Sequence, residues 1–213
     1  MSRFALLLTA AAAACLTTAA VAVPTVDPTG DFLPTYTGPK NGDLDVTSVE
    51  VINTGTSLIF NSTFAAPIGT TTGGFYVWGL NRGVGAAQFG ALAPGVLFDS
   101  VLIIRPGGTS NFADLITAAN NFTINPAAIT VNGSALSVTV ALALLPSTGF
   151  ATGAYTFNLW PRATGPTGIA AISDFAPDNS NIRAVPEPAA WALMLAGFAG
   201  VGAALRQRRR AIV

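Results

Sequence analysis

Carboxylates and aromatic rings are the only side chains in this sequence equipped for ligand chemistry. The 213 residues include no His, a single Cys and ten acidic side chains. Without His, neither a Ser-His-Asp nor a Cys-His nucleophile can be assembled, and most zinc sites are excluded. The acids gather at two places. Asp27, Asp31, Asp43 and Asp45 stand close in sequence, with Asn41 beside them, and Asp174 and Asp178 form a second pair far downstream. Calcium takes about six to eight oxygens from loop carboxylates and carbonyls. Asp27, Asp31, Asp43 and Asp45 are therefore the candidate metal ligands, and calcium is the one cofactor the sequence suggests. The spacing has neither the EF-hand interval nor its closing Glu, and solvated turns and strand caps use aspartates in the same way.

For catalysis, only a carboxylate pair remains, as in glycoside hydrolysis. Glu50, Asp99 and Asp114 are the candidates, but no spacing brings two of them together, so the chain reads as non-catalytic. Gly79, Gly83 and Gly85 flank Arg82 without a following Walker lysine, which rules out a phosphate loop. The aromatics offer a different chemistry. Tyr76 and Trp78 share one face of a strand, Tyr155 and Phe157 share a face of another, and Trp160 ends it. Tyr76, Trp78 and Trp160 are candidates for a platform on which sugar rings stack; the competing use of such rings is to fill a core. Asn61 and Asn121 stand in glycosylation sequons, a weak signal by itself.

The elements that must position these residues are strands. Between residues 23 and 185, Gly, Thr, Ser, Asn and Pro recur, and β-branched and aromatic residues come in short runs between them. This is the pattern of an all-β protein, an antiparallel β-sandwich of jelly-roll type. Strands are expected at 44–52, 58–64, 75–80, 96–104 and 154–160, the last stopping at Pro161. A hairpin is expected from 129–131 and 135–145 about a type I′ turn at Asn132 and Gly133. One helical turn is expected at 111–120, capped by Asn111. There is no internal repeat.

Charge is sparse: charged residues are 9% of the chain, against roughly a quarter in an ordinary soluble domain. The net charge is zero, which argues against nucleic acid as a partner. That zero is a cancellation. Inside 23–185 five cations oppose nine acids, while Arg3, Arg206, Arg208, Arg209 and Arg210 lie outside it.

The ends read as addresses. Residues 1–22 have a positive start at Arg3, an apolar run from Phe4 to Leu16 and the small residues Ala20 and Ala22, so a signal helix cleaved by signal peptidase after Ala22 is expected. A lipoprotein reading of Cys15 lacks the usual aliphatic residue three positions earlier. At the other end, residues 189–205 carry no charge and precede Arg206, Arg208, Arg209 and Arg210. A single transmembrane helix there would keep the arginines cytoplasmic. Gly197, Gly200 and Gly202 lay a small-residue face along it.

Val185, Pro186, Glu187, Pro188, Trp191 and Ala192, followed by the apolar stretch and the arginines, resemble the PEP-CTERM sorting signal in its PEPxxWA form. The resemblance covers residues 186–213, with Ala211, Ile212 and Val213 extending past the arginines. It implies a Gram-negative bacterium that makes exopolysaccharide, and recognition by an exosortase, a membrane-embedded cysteine transpeptidase that cuts near Pro186 to Pro188. The domains expected are thus a signal peptide at 1–22, a secreted β-sandwich at 23–185 and the sorting signal at 186–213. Such a protein is exported, held transiently in the inner membrane by residues 189–205, and then attached or released at the cell surface. The function this implies is that of a non-catalytic surface, biofilm or matrix protein associated with exopolysaccharide. The sharper alternative is a calcium-supported carbohydrate-binding module. The Asp-rich stretch leading into a strand also resembles, without a specific motif, carbohydrate-binding sandwiches of the DOMON-like kind.

Overall fold

The computed structural model describes residues 23–187, 194–202 and 206. The expected signal segment at 1–22 lies outside them, as do Pro188, Trp191, Ala192, Arg208, Arg209 and Arg210. The chain divides at Glu187: Ala22–Glu187 is one compact unit, and the described residues beyond it belong to a second. In that second unit 194–202 and Arg206 are helical and exposed. Among the described residues no helix is long and apolar enough to cross a membrane.

The first unit is built from short strands. They are β1 (Thr25–Val26), β2 (Val46–Asn53), β3 (Ser57–Phe64), β4 (Phe75–Asn81), β5 (Ala86–Ala87), β6 (Leu97–Phe98), β7 (Ser100–Ile104), β8 (Asn111–Asp114), β9 (Phe122–Thr123), β10 (Ile129–Asn132), β11 (Ala135–Ala141), β12 (Thr156–Arg162), β13 (Ile182–Arg183) and β14 (Val185–Pro186). One sheet runs β1-β2-β3-β11-β10, with β14 also on β2; the other runs β13-β12-β4-β7-β8-β9; β5 and β6 pair separately. Every ladder is antiparallel except β14 on β2.

The first sheet buries one face. Val49 and Val51, Leu58, Phe60 and Phe64, and Leu136, Val138 and Val140 alternate with more exposed neighbours, most of them polar. Those side chains meet Tyr76, Trp78, Leu80, Leu102, Ile104, Phe112, Phe157 and Leu159 of the second sheet in a single core. Phe60 contacts Trp78 and Phe157 at centroid distances of 5.3 and 5.5 Å. Two antiparallel sheets sharing a core is a sandwich arrangement. The chain passes between the sheets four times, after β3, β9, β11 and β13, and the β11–β3 and β12–β4 pairings join strands distant in sequence, while β2–β3, β10–β11 and β7–β8–β9 pair locally.

The second sheet is buried on both faces, which is why β4 is almost wholly buried along its length. Its outer face carries Val77, Val101 and Trp160, covered by Ala93, Val96, Phe98, Ile172 and Phe175. Gly79 allows that cover to sit close. A Cβ there would overlap the Trp160 ring, its diagonal neighbour across the β4–β12 ladder.

Three local expectations are corrected. Residues 111–120 form strand β8 followed by a 3-10 turn at Ala118–Asn120, because Phe112 and Asp114 alternate inward with period two. The β10–β11 turn centres on Gly133 and Ser134, since Asn132 pairs with Ala135. Gly133 has φ +59° and no described non-glycine residue has positive φ, the type II′ pattern instead of I′. β12 continues through Pro161 to Arg162. Leu159 N–H and the Pro161 carbonyl face the 171–176 segment, so the nitrogen of Pro161 also points away from β4 and that ladder loses no donor.

Candidate functional site

The two acidic groups of the sequence meet at one corner of the sandwich. Asp27 follows β1, and its N–H donates to Thr47 O at 3.0 Å, extending the β1–β2 ladder. The chain then turns at Gly30, whose N–H donates to both carboxylate oxygens of Asp45, at 3.1 and 2.9 Å. Asp45 thereby fixes the turn that presents Asp31. From the far end of the domain, the segment after β12 is tied in by Leu33 N–H to Ser173 O, 2.8 Å, and by the Ser173 hydroxyl to Leu44 O, 2.6 Å. Asp174 follows, and its two oxygens accept from Val46 N at 2.9 Å and Phe175 N at 2.7 Å. One carboxylate oxygen from each of Asp27, Asp31 and Asp174 falls within 4.8 Å of the others.

This corner is electrostatically expensive. Asp27 is 5% exposed and Asp174 fully buried. Asp27 Oδ2 and Asp31 Oδ1 are buried without a hydrogen-bond partner. Burial, reinforced by repulsion from Asp31, Asp178 and Asp45, pushes the Asp27 carboxyl up to about 7, against a hydrogen bond to Asp174. Burial also raises Asp174, to about 9; Asp27 and Asp31 add to the rise, while the Val46 and Phe175 amides oppose it. Asp31 and Asp45 move the same way for the same first reason, burial. Among the described residues no Lys or Arg pairs with any of these carboxylates; both ion pairs belong to Arg82.

Asp43 is not part of the group. It accepts from Thr71 N–H at 2.6 Å and from the Thr71 hydroxyl, holding the connection between β3 and β4. Of the sequence-derived Asp27, Asp31, Asp43 and Asp45, only Asp27 and Asp31 come together, joined by Asp174, while Asp45 holds the turn that carries Asp31. Asp174 was visible only as a remote pair with Asp178, since no spacing rule says that the two ends of the domain meet.

The carboxylates considered for catalysis separate. Asp99 and Asp114 are brought together, but around Arg82, which is fully buried. Arg82 Nε donates to Asp99 Oδ1 at 2.8 Å, and Nη2 lies 3.0 Å from Asp114 Oδ1, an ion pair without an aligned hydrogen bond. Asp99 also accepts from Arg82 N–H at 2.9 Å and the Thr148 hydroxyl at 2.7 Å. For Asp114, burial pushes upward, but hydrogen bonds from Asn120, Thr117 and Ile116 and the nearby Arg82 guanidinium outweigh it and leave the carboxyl below its usual range. Glu50 lies on the other sheet and accepts from Asn61 Nδ2 at 3.2 Å. Arg82 was missed from sequence because one arginine in a glycine-flanked strand end reads as a surface charge.

The aromatic platform is also corrected. Tyr76, Trp78 and Trp160 are 1%, 0% and 2% exposed, so none offers a ring to a ligand. Trp160 pairs with Val77 across the ladder, so it shares that residue's face and not Trp78's; the two tryptophans belong to separate clusters. What the surface does offer is the outer face of the first sheet. Ser48, Glu50, Asn61, Thr63, Thr130 and Ser137 line a shallow trough of about 210 Å³. Ser137 donates to Asn61 Oδ1 at 2.8 Å, and Ser48 and Thr63 share a 2.6 Å hydroxyl pair.

At the other edge of β2, Val185 and Pro186 lie parallel to Ile52 and Asn53, and Glu187 N–H donates to Asn53 O at 3.2 Å. Pro186 and Glu187 are exposed there.

Fold and surface define a sparsely charged two-sheet β protein with a short C-terminal address. Residues 184–210 match the family model of the PEP-CTERM protein-sorting motif. The chain is therefore an exported protein, processed by an exosortase and membrane-anchored before sorting. No curated protein and no solved structure matches the chain.

Proposed function

We propose that the protein is a non-catalytic component of the cell surface or extracellular matrix, delivered by exosortase sorting and associated with the host's exopolysaccharide. The sorting motif at 184–210 carries this reading. The polysaccharide part draws on the outer face of the first sheet, where the partly exposed Ser48, Glu50, Asn61 and Ser137 are hydrogen-bonded among themselves and with Thr63 in a trough whose open surface is mainly apolar, a mixture that a sugar ring can meet with its C–H face and its hydroxyls. Sugar hydroxyls exchange hydrogen bonds with such groups directly or through water. Two carboxylates locked to one arginine make a poor acid–base pair, which favours the non-catalytic reading over a glycan-cleaving one.

The test is mass spectrometry of the exported protein together with co-sedimentation. The mature form should end near Pro186 to Pro188, and Glu187→Ala should leave the C-terminus uncut. It should pellet with the producing cells' exopolysaccharide, several-fold less when Glu50→Ala and Asn61→Ala are combined. An intact C-terminus on all exported wild-type protein overturns the sorting reading; failure to pellet with any polysaccharide overturns the matrix association.

A further inference from the structure

We propose that Asp27, Asp31 and Asp174 form a calcium site that fastens the beginning of the β domain to its end. A cluster of acids alone would not justify this. The second observation is that Asp27 is 5% exposed and its Oδ2 has no hydrogen-bond partner, and Asp31 Oδ1 is buried in the same condition. Three carboxylate oxygens approach within 4.8 Å, and no described cation of the chain answers them. Buried carboxylates in that position need either shared protons or a bound metal ion.

The chemistry of the donors selects the metal. All are oxygens, which suits a hard cation and not zinc or copper. Calcium binds oxygens at about 2.3–2.6 Å, so two ligands on opposite sides of one ion stand up to about 5 Å apart, a limit inside which all three oxygens fall. Magnesium holds its own waters and a tight octahedron, and is served by one or two carboxylates more often than three. The support around the ligands is built. Asp45 grips Gly30 from both oxygens and so places Asp31, and Val46 N–H orients Asp174 through Oδ2. The remaining positions of the calcium shell fall to water.

Asp27 and Asp174 are far apart in sequence, and the unfolded chain has no such site. Calcium therefore binds the folded state selectively and stabilises it. Affinity in the range of extracellular modules, about 10⁻⁴–10⁻³ M, would leave the corner loose in a calcium-poor cell and tighten it after export.

Thermal unfolding of the purified full chain, followed by circular dichroism at pH 7 in EDTA and in increasing calcium chloride, tests this. At about ten times Kd the melting temperature should rise by roughly 3–6 °C, with a matching binding isotherm by calorimetry and a much smaller effect of magnesium. Asp27→Asn should melt no lower than wild type in EDTA, because it relieves repulsion, yet lose the calcium shift. Asp31→Ala, at a partly buried position, should lose it as well. No calcium shift in the wild type, or a shift that survives in both variants, overturns the proposal; an equal shift from magnesium overturns the choice of calcium.

Discussion

Arg82→Met should destabilise the domain by about 3–5 kcal/mol, the cost of removing one partner from a buried ion pair. Methionine replaces much of the aliphatic stem, so packing is nearly kept and the loss falls on charge. The guanidinium answers two carboxylates, Asp99 at 2.8 Å and Asp114 at 3.0 Å, with all three side chains out of solvent. Each aspartate keeps other donors: Thr148 and the Arg82 backbone amide for Asp99, and Ile116, Thr117 and Asn120 for Asp114. The cost therefore stays within the range for a single broken pair instead of doubling. For a domain of this size each kcal/mol corresponds to about 2–4 °C, so the melting temperature should fall by roughly 6–20 °C. Urea unfolding at pH 7 measures the free energy directly. Adding Asp99→Asn to Arg82→Met should recover part of the loss, since one stranded charge is gone. A loss below about 1 kcal/mol, or no recovery in the double variant, would show that the arginine is not the counter-charge on which these two carboxylates depend.

Two other outcomes follow from the same reasoning. In EDTA the folded domain holds protons at Asp27 and Asp174, up to about 7 and 9, that an unfolded chain releases near 3.8. Their contribution is thus complete below about pH 4 and is lost as pH rises toward 9; urea midpoints in EDTA should fall from pH 5 to pH 8, and Asp174→Asn should flatten that slope. Gly79→Ala places a methyl group against the Trp160 ring and should cost about 1–3 kcal/mol, read by the same urea titration together with a change in tryptophan fluorescence.

Hydrophobic alternation made β2, β3, β4 and the β10–β11 hairpin legible in sequence, because period two reports directly which side chains share a face. It does not report what covers a face. Tyr76 and Trp78 do share a face, but a sheet buried on both sides turns apparent surface aromatics into core. The second face is closed by Phe98 and Phe175, which come from loops and short bridges with no periodicity. The acidic corner was half legible. Asp27 and Asp31 stood out by local density, whereas Asp174 arrives through a connection between distant segments that no local rule encodes. Asp43 and Asp45, two residues apart, part company for a similar reason: Asp43 meets Thr71 from one loop and Asp45 meets Gly30 from another.

Six of the eight aspartates between residues 23 and 185 are buried, and with them Arg82. The layer that meets solvent therefore carries Lys40, Arg105, Arg162 and Arg183 against only Asp31, Glu50 and Asp178. A domain that counts as acidic along its sequence presents an almost neutral exterior. The exposed side chains nearly balance, so the mild negative field of the domain comes mainly from carboxylates it holds inside, and salt screens it beyond about 8–10 Å. Whatever the domain meets outside the cell, no charged patch draws it in. Capture of an anionic polymer should be weakly opposed in fresh water and quicken toward brine.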